Sequence, residues 1–84
     1  MGLGEEMRHR LTAAFAPEAL EVLDESEAHR GHGGYREGGG THWRVVMRAP
    51  ALGPMTRLQR HRAVHAALGP DVLGRLHALA LDLS

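Results

Sequence analysis

Residues 60–81 read RHRAVHAALGPDVLGRLHALAL, and this stretch decides the fold. It predicts a helix carrying His61 and His65, a break at Gly69-Pro70, a short second helix through Leu73 and a strand opened by His77. Pro70 suits the first position of a new helical turn, where a backbone N–H has no intrahelical partner. Gly74 closes that turn. From Leu76 to Leu83 the alternation puts Leu79, Leu81 and Leu83 on one strand face, with His77 on the same face. Just upstream, Thr56 is placed to cap the main helix, and a helical wheel puts Leu58, Val64 and Leu68 in its buried arc. His61 and His65 fall inside that arc and are expected to be hydrogen-bonded core histidines, flanked by Arg60 and Arg62.

Everything before this stretch reads as what it packs against. Leu3, Met7, Leu11, Ala14 and Phe15 recur at helical spacing, with Glu5, Glu6, Arg8 and Arg10 on the other side, and Pro17 ends the helix. Two strands follow. Leu20 to Asp24 alternates with Leu20 and Val22 on one face; Thr41 to Arg48 alternates with Trp43, Val45 and Met47 on one face and His42, Arg44 and Arg48 on the other. Half-polar strands of this kind belong to a sheet covered mainly on one side. Between them, residues 26–40 read SEAHRGHGGYREGGG, with six glycines, and predict a mobile surface loop too glycine-rich to pack. No Lys-Ser/Thr pair follows these glycines, so the loop is not a phosphate-cradling P-loop. Ala49 to Pro54 is a turn with two prolines. The predicted order is α-β-β-α-α-β over a single domain, residues 1–84. The first two strands pair antiparallel, and a helical crossover makes the second and third parallel. The fold class is α+β, a three-stranded mixed sheet with helices on one face.

Composition narrows the function. Ten basic residues, all arginine, balance ten acids, so no global basic field steers the chain onto nucleic acid. Cysteine is absent, which removes disulfides, thiolate nucleophiles and cysteine-ligated metal sites from consideration. No apolar run approaches the ~20 residues of a membrane span, and the N-terminal residues lack a secretory apolar region, so a cytoplasmic location with no membrane association is expected. No nucleophile stands with an evident base and orienting group, so catalysis is not expected. The compositional excess is histidine, seven in 84 residues.

Four segments, in order and spacing, carry a resemblance: FAPEALEVLDES at residues 15–26, THWRV at 41–45, LQRHRAVHAAL at 58–68 and HALAL at 77–81. Together they are similar to the BolA family over nearly the whole chain. The resemblance implies a fold similar to the class II KH arrangement and a partnership with a monothiol glutaredoxin. It further implies a [2Fe-2S] cluster shared between the two proteins, with thiolates supplied by glutaredoxin and glutathione. Carried over by position, the ligands here are His77, at the opening of the last strand, and His29 in the glycine-rich loop, with His32 three residues on left open as the loop ligand. The chemistry is consistent: neutral imidazole ligates [2Fe-2S] iron in other centres and raises its reduction potential. Two protein histidines leave each cluster incomplete, so any cluster is expected to be shared, and none is expected in the isolated chain.

The alternative is a DNA-binding transcriptional regulator, in which Arg57, Arg60 and Arg62 form a local basic patch. KH domains clamp the backbone with a GXXG loop. The corresponding junction here, Leu68-Gly69-Pro70-Asp71-Val72, has one glycine and an acid where phosphate would sit, so binding to DNA is expected to be weak and salt-dependent. His42 is expected to be structural or surface, and His9 a surface residue.

Overall fold

The computed structural model describes residues 2–25 and 42–84; the glycine-rich connection expected to be a mobile loop, with His29 and His32, lies outside the described residues. Helix α1 spans Leu3–Phe15, strand β1 Ala19–Asp24, strand β2 His42–Arg48, helix α2 Arg57–Leu73 and strand β3 Ala78–Leu83, with a short 3-10 turn at Pro50–Leu52. The sheet order is β1-β2-β3. β1 runs antiparallel to β2, and β2 parallel to β3, as the alternation and the length of the helical connection predict.

The period-two pattern sets the core. Leu20 pairs with Met47 and Val22 with Val45; Trp43, Val45 and Met47 then pair with Leu79, Leu81 and Leu83. Their side chains meet Met7 and Leu11 of α1 and Val64, Leu68 and Val72 of α2 in one cluster, so both helices cover the same face. Met7, Leu11, Met47, Leu52 and Leu68 are fully buried, and each such side chain contributes about 1.5–3 kcal/mol on burial. These contacts outweigh the exposed ion pairs and decide how the helices seat. Gly4 lets α1 approach the sheet closely. A Cβ there would lie 3.1 Å from Cζ3 of Trp43.

Helix α2 begins where Thr56 predicts. The Thr56 hydroxyl accepts from the Gln59 N–H at 3.1 Å and the Gln59 side chain accepts from the Thr56 N–H at 2.8 Å, a reciprocal capping box. The helix is interrupted at Gly69, whose φ of 82° and ψ of 157° are non-helical, and resumes at Pro70. The Gly-Pro break is therefore as read, with α2 in two segments.

The buried arc of α2 differs from the wheel's. It runs through Val64, Leu68 and Val72, while Leu58 is 58% exposed, His65 is exposed and His61 is half-buried. Val64 and Leu68 lie four apart in the first segment, and Val72 reaches the same core from the second. The arc is narrower than the wheel's, leaving Leu58 and His65 outward, and the expectation that His61 and His65 are core histidines is corrected.

Candidate functional site

The site is built where three strand ends converge. The Glu25 N–H, just past β1, donates to the His42 carbonyl at 2.8 Å. His42 opens β2 and pairs with Ala78, the first residue of β3. Between α2 and β3 the chain turns tightly: the Arg75 N–H donates to Val72 O at 3.0 Å and the Leu76 N–H to Leu73 O at 3.2 Å. Leu76 packs against the core. His77 follows in a bend and is exposed.

His77 thus does not share the core face with Leu79, Leu81 and Leu83, because β3 begins one residue later and the bend releases its side chain from strand alternation. Its ring instead lies against His42, with centroids 5.1 Å apart and planes inclined at 56°. His42 is 8% exposed, buried rather than on the surface. Beside them, Arg44 Nε donates to Glu25 at 3.0 Å.

The exposed imidazole of His77 is of the chemical type that ligates a soft or borderline metal. Among the described residues, no cluster of three or more His, Cys, Asp or Glu forms that would hold a metal ion by itself. The approach of His42 to His77 was not read from the sequence. The signal was present, since a histidine opens each of two strands that run parallel and therefore start at the same end. Only the register, His42 opposite Ala78, turns that coincidence into a contact.

The arginines of the alternative reading separate. Arg60 is half-buried; its guanidinium donates to Leu52 O at 2.9 Å, Leu83 O at 3.2 Å and Gly53 O at 3.5 Å. It ties α2 to the 3-10 turn and to the end of β3, so it is not available to phosphate. Arg57 and Arg62 are exposed. Five residues apart on a helix of ~100° per residue, they point in directions about 140° from each other. The Leu68–Val72 junction is closed as well. Arg10 donates from Nη1 to the Leu68 carbonyl and forms a two-pronged pair with Asp71, at 2.9 Å to Oδ1 and 2.8 Å to Oδ2. The hydrogen bond from Arg10 holds the Asp71 carboxyl at a pKa of about 2, below its ordinary 3.8, reinforced by the guanidinium charge and opposed by desolvation. The junction thus presents a fixed acid, unlike the GXXG loop with which KH domains clamp a nucleic-acid backbone.

A small α+β domain with an imidazole pair at one end of a mixed sheet is what the geometry defines. The family model described as BolA-like protein matches residues 11–84. BolA-like protein 1 of Homo sapiens is 40% identical over 90% of the chain, and the DNA-binding transcriptional regulator BolA of Escherichia coli is 35% identical over 96% of the chain and 73% of its own length. The chain spans about half the length, 53%, of the human relative. Among solved structures, the BolA domain of SufE1 from Arabidopsis thaliana superposes with a TM-score of 0.82 at 28% identity, covering 100% of this chain and 92% of that one. The chain belongs to the BolA family.

Proposed function

We propose that this chain is a non-enzymatic adaptor that binds a monothiol glutaredoxin as a heterodimer. His77 supplies one ligand to a shared [2Fe-2S] cluster, in the service of iron-sulfur trafficking or of iron and redox regulation. The observation that carries the reading is the exposed His77 ring, held out by the bend ahead of β3 and backed by His42. Partial ligation by neutral imidazole reduces the negative charge around the iron and raises the reduction potential when the cluster is bound. The second ligand is assigned to His29 or His32, and the remaining ones to the glutaredoxin cysteine and glutathione.

Co-purification with a monothiol glutaredoxin and glutathione, followed by visible absorption and circular dichroism, tests this. His77→Ala is expected to alter the cluster bands and shorten their lifetime while the far-ultraviolet spectrum of the chain alone stays unchanged. An unaltered cluster spectrum and stability in the variant would sink the ligand assignment. The regulator reading is favoured by the function in the name of the Escherichia coli relative. It is tested by titrating duplex DNA at two salt concentrations, where tight, sequence-dependent binding near physiological salt would place it first.

A further inference from the structure

Strand β3 is an edge of the sheet, and its sequence, ALALDL, carries one charge and neither proline nor lysine. Edges this plain are templates for pairing unless something covers them. The backbone orientation shows which groups are on offer. The Ser84 N–H donates to Met47 O at 3.0 Å and the Ser84 carbonyl accepts from the Ala49 N–H at 3.1 Å, so even-numbered residues here face β2. Leu79, Leu81 and Leu83 therefore turn their N–H and C=O groups outward. The outward Leu83 carbonyl is met by Arg60.

Alongside this edge runs a groove of about 370 Å³, walled by Arg57, Arg60 and His61 of α2, by Leu81, Asp82 and Leu83 of β3, and by Arg44 of β2, whose charge is paired with Glu25. Its charge is unbalanced. Arg60 bonds only to carbonyls, and Arg57 makes no ion pair among the described residues, so two uncompensated guanidiniums face the single carboxylate of Asp82. A second copy of β3 would bring its own Arg57 and Arg60 along with its Asp82, doubling the positive excess rather than neutralising it. We infer that the outer edge of β3 is a docking surface for an extended acidic peptide segment of another protein. The segment adds as a fourth strand through the outward backbone groups of Leu79 and Leu81, and its carboxylates meet the exposed Arg57, with the charge of the carbonyl-bound Arg60 behind it. The groove begins three residues and ends five residues beyond Ala78, roughly 10–16 Å along the strand from the histidine pair, so this surface does not depend on cluster ligation.

The test uses a short fluorescent peptide of alternating valine and glutamate, its lysine counterpart, and a version N-methylated at the amides along one edge. Each is titrated into the full chain without glutaredoxin. Saturable binding of the glutamate peptide, weakened by salt, with slowed hydrogen exchange at the Leu81 amide, is the expected result. N-methylation abolishes it, and Arg57→Glu weakens it about tenfold without lowering the melting temperature, since an acid suits the first position of α2. Absence of binding overturns the inference. So does equal affinity for the lysine or N-methylated peptide, or protection of Leu81 that grows with protein concentration alone, which would identify a second copy as the occupant.

Discussion

Gly69 carries the sharpest constraint on any one position. Its φ of 82° with ψ of 157° lies in a region that only glycine enters freely, and it precedes Pro70, which further excludes helical geometry there. A Cβ would also lie 3.0 Å from Asp71 Oδ1 and 3.1 Å from Arg10 Nη1, inside the ion pair that closes the junction. Gly69→Ala is therefore expected to cost about 1–3 kcal/mol, read as a lower urea midpoint. An alanine variant as stable as the parent would mean that the break forms with another backbone path. His42 is decided at the same scale. Its ring is buried against His77, so it is a packing support for the exposed histidine.

The element that depends most on a distant side chain is β3. Its strand pairing reaches β2, but its last carbonyl on the outer edge is held by Arg60 of α2, which also bonds Leu52 and Gly53. One guanidinium joins helix, turn and strand end. Arg60→Met keeps the apolar stem and deletes the donors, and is expected to destabilise the chain by about 2 kcal/mol, the scale of hydrogen bonds from a charged donor. The same variant separates structure from DNA contact. Chemical denaturation should register the loss, whereas the salt slope of any DNA binding should remain that of the parent.

At the scale of the whole molecule, four charged residues join α1 to the second segment of α2 and the turn that follows it. Arg10 pairs with Glu6 and Asp71, each at 2.8 Å from Nη2, and Arg75 pairs with Glu6 at 2.9 Å. Glu6 is also held below its ordinary pKa, chiefly by its hydrogen bond from Arg75. Because Asp71 titrates lower in the folded than in the unfolded chain, its contribution is complete above its ordinary value of 3.8. It is lost as the pH falls from there toward about 2. Melting temperatures of Asp71→Asn should lie below the parent's at neutral pH, and the gap should close in that acid window. Parallel curves would contradict the lowered carboxyl pKa. Asp71 and Arg75 are exposed and Glu6 and Arg10 half-buried, so added salt should also narrow the gap.

Much of this was legible in one chain because it is local. Element order, the Thr56 cap, the break at Gly69-Pro70 and the inward face of each strand follow from spacing and from the backbone limits of glycine and proline. The resemblance that names the family rests on the same segments. Three features were settled only by the tertiary structure. A helical wheel gives angles among residues but not the face the sheet will cover, so His61 and His65 were placed in an arc that packing assigns to Val64, Leu68 and Val72. Arg60 found its carbonyls eight and 23 residues away along the chain. The meeting of His42 and His77 required strand register, which is set by long-range pairing and a shared core rather than by either histidine's neighbours.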